Sequence, residues 1–89
     1  MAVEKMYQGW ANWETWNVAL WFANEEPLYR HVRTRLRKFG KFTAQTAAEF
    51  VRQELPNGTP DFKKPPGFKL YEKVDWKAIA ADFNEMGEG

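Results

Sequence analysis

Asn12-Trp13-Glu14-Thr15-Trp16-Asn17-Val18-Ala19-Leu20-Trp21-Phe22-Ala23-Asn24 puts three of the chain's five tryptophans within nine residues, and its reading decides the fold. Asn12 is placed to cap a helix that begins at Trp13, its side chain accepting from the backbone N–H of Glu14 or Thr15. Glu14 then complements the positive end of the helix dipole. At about 100° per residue, Trp13, Trp16, Ala19, Leu20 and Ala23 share one apolar arc, while Val18, Trp21 and Phe22 fall outside it. A helix that is apolar nearly all round is a buried one. The rest of the chain is therefore expected to wrap it, with Trp16 and Leu20 buried. Asn17 lies between Trp13, Leu20 and Trp21 in projection, so its amide needs a partner in a neighbouring loop or helix end, or else lines a surface site.

A chain of 89 residues supports one domain, spanning 1–89. Burial at this size only narrowly exceeds a conformational entropy cost of roughly 1.5 kcal/mol per ordered residue. Fifteen aromatic residues are the means of reaching that balance, since each buries on the order of 150–250 Å². There is no cysteine, which fits a cytosolic protein. The longest apolar run, Val18 to Ala23, is far short of the about 20 residues a membrane helix needs. The expectation is a soluble, cytoplasmic protein with no membrane contact.

Outward from the tryptophan stretch, residues 1–11 read as a lead-in whose aromatics Tyr7 and Trp10 dock on the core. Asn24-Glu25-Glu26-Pro27 restarts a helix, with Asn24 or Glu25 as cap and Pro27 early, where its missing N–H costs nothing. This second helix runs to about Phe39 with an apolar stripe of Leu28, Val32, Leu36 and Phe39, and Gly40 is suited to a left-handed C-terminal position. Thr43 caps a third helix whose stripe is Ala44, Ala47, Ala48, Val51 and Leu55, with Phe50 at its edge. Pro56-Asn57-Gly58 ends it. From Pro56 to about Lys73 four prolines and two glycines exclude a helix, but Phe62, Phe68, Leu70 and Tyr71 argue for an ordered loop, with a short hairpin turning at Pro65-Pro66-Gly67 as one form of it. Asp75 caps a last helix with Trp76, Ile79, Ala80 and Phe83 on its stripe, packed on the tryptophan helix. Residues 84–89 read as a frayed acidic tail. The fold class is all-α: about four helices around a central tryptophan-rich one, with one long Pro/Gly-rich loop.

The chemistry available is narrow. There is neither serine nor cysteine, so the nucleophile list is nearly empty. One histidine, His31, and no cysteine do not make a usual zinc set. Glu25 and Glu26 are adjacent, do not share a helix face, and read as dipole-complementing caps rather than an acid/base pair. The six glycines are scattered, with no phosphate loop among them. No catalytic residue, cofactor or metal is expected, and the protein reads as non-enzymatic.

Charge is more informative. The net charge is only +1, yet Arg30, Arg33, Arg35, Arg37, Lys38 and Lys41 fall between Pro27 and Lys41 with no acidic residue among them. Arg30, Arg33 and Arg37, with Lys41 in line if the helix extends, form one ridge suited to phosphates or an acidic protein face. The competing reading is a solvated helix back partly paired with Glu49, Glu54 or the C-terminal acids. The sequence pI of about 8.0 lies below the rough value of 9 typical of nucleic-acid domains. Trp10, Trp13, Trp16 and Trp21 could likewise form a stacking platform, but their helical spacing favours the core.

The run Gly9-Trp10-Ala11-Asn12-Trp13-Glu14-Thr15-Trp16-Asn17-Val18-Ala19-Leu20-Trp21, followed by Asn24, resembles the N-Y-E-T-W-x-V-x-L-W-x-x-N signature of small, mostly uncharacterised phage and plasmid proteins. Trp13 stands where that signature has Tyr. Val74-Asp75-Trp76 with Ile79-Ala80 is similar to their closing V-D-W-x-x-I-A segment. The resemblance implies an origin in a mobile element, and hence the host cytoplasm as the place of action, but no mechanism. The expected function is that of a small accessory protein that binds a protein partner, for instance to inhibit a host defence or nucleic-acid enzyme. The alternative is a nucleic-acid-binding module that uses the basic second helix.

Overall fold

The computed structural model of the chain describes residues 9–61 and 70–87. Among them there are four α-helices, one 3-10 turn and no strand: α1 (Trp13–Asn24), α2 (Glu26–Phe39), α3 (Ala44–Glu54), the 3-10 turn Leu70–Lys73, and α4 (Trp76–Met86). None of these helices is long and apolar enough to cross a membrane. The hairpin considered at Pro65-Pro66-Gly67, and the docking of Tyr7, lie outside the described residues.

Each helix begins where a short polar side chain can take the first free N–H groups, except α2. Asn12 accepts from Thr15 N–H, Thr43 from Thr46 N–H in a reciprocal capping box, and Asp75 from Ala78 N–H. The cap of α2 is Glu25, whose side chain makes no capping bond, so this start rests on Pro27 and on Glu26 in the first turn. Gly40 ends α2 at φ 83° and ψ −163°. That is positive φ, but not the left-handed helical geometry expected of it, and glycine adopts it without the penalty a Cβ brings.

α4 packs against each of the other three helices, and α1 packs on α2, α4 and the 3-10 turn. The centre is built of phenylalanines. Phe83 lies 5.2 Å from Phe22, 5.1 Å from Phe42 and 6.0 Å from Phe50 between ring centroids. Around them Val18, Val32, Val51 and Ile79 are fully buried. Val32 of α2, Ala47, Ala48 and Val51 of α3, and Ile79, Ala80 and Phe83 of α4 sit where the sequence placed them, and Trp10 packs against the cluster.

The face that α1 turns inward shares only Ala19 with the expected arc. Val18, Ala19 and Phe22 are its buried apolar residues, whereas Trp13, Trp16, Leu20 and Trp21 are half-buried and Ala23 is exposed. Val18 and Phe22 project about 180° from Leu20 and Trp13, while Ala19 belongs to both sets, so the buried face is turned by roughly a third of a turn from the centre of the apolar arc. Two buried polar residues fix that rotation. Thr15 Oγ1 donates to Asn12 Oδ1 at 2.6 Å and accepts from Asp75 N–H at 2.8 Å, while Asn12 Nδ2 donates to Lys73 O at 2.7 Å. The N-termini of α1 and α4 are thereby tied together. On the other side Asn17 accepts from the Thr59 hydroxyl and donates to Asp61 Oδ2 at 2.7 Å, and Trp21 Nε1 donates to the same oxygen at 2.8 Å. The structural reading of Asn17 thus holds, and the 59–61 segment is what satisfies it.

Residues 84–86 continue α4 rather than fray. Asn84 belongs to the fold: its Oδ1 accepts Phe42 N–H at 2.8 Å and its Nδ2 donates to Phe42 O at 3.2 Å. This holds the α2–α3 connection so that Phe42 reaches the core. At the far end of α3, Tyr71 hydroxyl donates to Leu55 O at 2.5 Å and Trp76 Nε1 donates to Tyr71 O at 3.0 Å. Burial pushes the Tyr71 phenol up to about 12, with Arg52 and the Gly58 N–H pulling the other way. A phenol whose folded value is raised is held in its neutral form. Its stabilising contribution is therefore complete below the ordinary value of about 10 and is lost as pH rises from there toward the folded value. The stability difference between wild type and Tyr71→Phe, measured by urea titration, should accordingly narrow above that ordinary value; a difference unchanged across the window would contradict the burial.

Candidate functional site

α2 carries the charge. Its N-terminal acid and basic last turn suit the dipole, and its inner stripe leaves one side to cations. Arg30 and Arg37 are exposed and Arg33 is half-buried, so the ridge exists, but each arginine has a neighbour on its own helix. Arg30 pairs with Glu26 at 3.3 Å, Arg33 reaches Tyr29 Oη at 3.4 Å, and Arg37 reaches Thr34 Oγ1 at 3.4 Å. The expected pairing with Glu49 and Glu54 is not the one formed; Glu54 instead meets His31 Nδ1 at 2.6 Å, which closes one end of the space between α2 and α3. Lys41 is exposed but does not continue the ridge, because α2 stops at Phe39. Glutamine at Arg30 or Arg37 should shift stability by only about 0.5 kcal/mol per site, since exposed pairs contribute little. Thermal melting checks this, and a loss several times larger would mean the ridge is structural.

The feature sequence reasoning missed lies on the other side of α2 from the ridge. Phe39, read as a packing residue, is 72 % exposed, the large hydrophobic left open to solvent among the described residues. The chain turns at Gly40, and Phe42 takes the core position instead. Arg35 links the two rings: its guanidinium carbon lies 4.9 Å from the Phe39 centroid and 4.8 Å from that of Phe42. Both distances fall within the range of a cation–π contact.

α2 and α3 both rest on α4 without packing closely on one another, and the gap is an open groove of about 630 Å³. Arg35 and Phe39 form one wall, Phe50 lies in it, and Glu49, Arg52 and Gln53 line the α3 side. A spacing clue existed. Phe39 and Phe42 flank Gly40, and a chain reversing there can bury one of them more readily than both. Nothing local indicated which. Among the described residues no group of three or more His, Asp and Glu side chains is placed to hold a metal.

These features define a small all-helical domain with a groove between α2 and α3 lined by aromatic and charged side chains. The chain belongs to a family of unknown function, DUF7249, whose model matches residues 3–88. No curated protein and no solved structure matches it.

Proposed function

We propose that the domain is a non-enzymatic binding module that engages another protein through the α2–α3 groove. Phe39 and Arg35 are its anchors; the ridge of Arg30, Arg33 and Arg37 projects about 120–180° away from them round α2 and lies outside the groove. The observation that supports this reading is the 72 % exposure of Phe39 in contact with Arg35, both of them lining the groove. Aromatic and arginine side chains are the residues in which interface energy collects, while rim charges contribute little. A single exposed phenylalanine is ordinary by itself; its place beside Arg35 in the lining of a groove is what supports the reading. The resemblance of Asn12–Asn24 and Val74–Ala80 to phage and plasmid proteins supports the setting: an accessory protein in the host cytoplasm that binds a host or phage protein, for instance to inhibit a defence or nucleic-acid enzyme.

A photo-cross-linking phenylalanine analogue at position 39 tests the reading in nuclease-treated lysate. The expected result is one discrete polypeptide adduct, absent when the same analogue replaces Gln45. The second reading, nucleic-acid binding, draws on the acid-free span from Pro27 to Lys41. It predicts that the adduct is nuclease-sensitive instead, and that affinity falls steeply with salt.

A further inference from the structure

We infer that the α2–α3 groove takes a segment of a partner protein in which carboxylates flank one large apolar side chain; this rests on the protein-binding reading above and names the chemistry of what is bound. The apolar part of the match is supplied by Phe39, which is 72 % exposed, and by the part of the largely buried Phe50 that reaches the groove lining. The cationic part is supplied from both walls. Arg35 on α2 is held by two rings, its guanidinium carbon 4.9 Å from the Phe39 centroid and 4.8 Å from that of Phe42, and a guanidinium so placed can still donate to a carboxylate, whose fork it matches. Arg52 stands on the α3 wall, its guanidinium carbon 5.9 Å from the Tyr71 ring centroid. Of the six cations between Pro27 and Lys41, Arg35 lines the groove; with Arg52 across from it and Glu49 as the acid of the lining, two positive charges against one negative leave the groove net positive, which favours an acidic segment.

Glu49 separates a peptide from a nucleic-acid strand. It lines the groove and accepts from Gln45 on its own helix at 3.3 Å. A phosphodiester strand offers that carboxylate only further negative charge. A peptide offers carboxylates to Arg35 and Arg52 and an amide or indole N–H to Glu49.

The test uses the full chain, labelled with ¹⁵N, and names its probes. One is a helical acetylated peptide with a central tryptophan and a glutamate one turn to either side. The others are its twin with lysine for glutamate, and an oligothymidylate of similar length. The glutamate peptide should shift the amides around Arg35–Phe39 and Thr46–Gln53. Phe39→Ala and Arg35→Gln, both confirmed folded by melting, should each weaken it by at least about tenfold, and Arg30→Gln by less than about threefold. Equal binding of the lysine twin in the groove would overturn the inference while leaving a protein-binding groove. Failure of the glutamate peptide to shift those amides would also overturn it. Oligothymidylate binding tighter than either peptide and lost in Arg35→Gln would overturn both the inference and the reading beneath it. Concentration-dependent shifts of the same amides without any probe would replace the peptide by a second copy of the chain.

Discussion

Phe83→Ala unfolds the domain, or brings it to the edge of unfolding, with a loss of about 3–5 kcal/mol. Phe83 is fully buried on α4 and faces the rings of Phe22, Phe42 and Phe50 from α1, the α2–α3 connection and α3. Truncating it removes apolar area and opens a cavity where the elements converge, and forfeits ring contacts of about 0.5–1.5 kcal/mol each. A domain of 89 residues sits toward the low end of the about 5–15 kcal/mol typical of folded proteins. Trp16→Ala supplies the contrast. Its larger side chain is only half-buried, so its loss should cost roughly 1–2 kcal/mol. Urea titration followed by far-ultraviolet circular dichroism ranks the two, and a Trp16 variant as damaged as the Phe83 variant would put the tryptophans back in the core.

That contrast marks what the sequence could and could not say. Helix starts were readable because capping is local: Asn12, Thr43 and Asp75 each bond an N–H three residues on. The inner stripes of α3 and α4 were readable because those helices have a polar side to contrast with the apolar one, although Ala44 proved exposed. α1 has no such contrast. With Trp13, Trp16 and Trp21 on one side and Val18 and Phe22 on the other, periodicity leaves its rotation open, and the rotation was set by Thr15 and Asn17 finding partners. Those partners, Asp75, Thr59 and Asp61, lie 42 to 60 residues away, beyond any local signal. The ridge of the candidate site was legible as spacing, whereas the groove was not. It arises from α4 holding α2 and α3 apart, and from Gly40 sending Phe42 inward in place of Phe39.

Asn17→Asp should be the most damaging conservative change in the chain, and its damage should depend on pH. Asn17 is fully buried, takes the Thr59 hydroxyl on Oδ1, and donates from Nδ2 to Asp61 Oδ2 at 2.7 Å. Aspartate has the same shape but turns that donor into an acceptor, so two carboxylates would meet where one amide had satisfied one carboxylate. The new acid is then ionised against its surroundings, and its folded pKa lies above the ordinary carboxylate value of about 3.9. A raised acid is most favourable when protonated. The variant therefore approaches wild type below the ordinary value, loses ground as pH rises toward the raised folded value, and stays at a constant deficit above it. A deficit of about 3 kcal/mol near neutrality, the scale expected when a buried charge loses its partner, corresponds to a folded value raised by about two units at 1.36 kcal/mol each. The gap should thus open between about pH 4 and pH 6. Asn17→Leu serves as the control: it leaves Thr59 and Asp61 without the amide but adds no charge, so its deficit should vary far less across that window. Melting temperatures of wild type and both variants in matched buffers decide the matter, because an aspartate deficit equally large at acid and neutral pH would mean that the side chain at position 17 does not face Asp61.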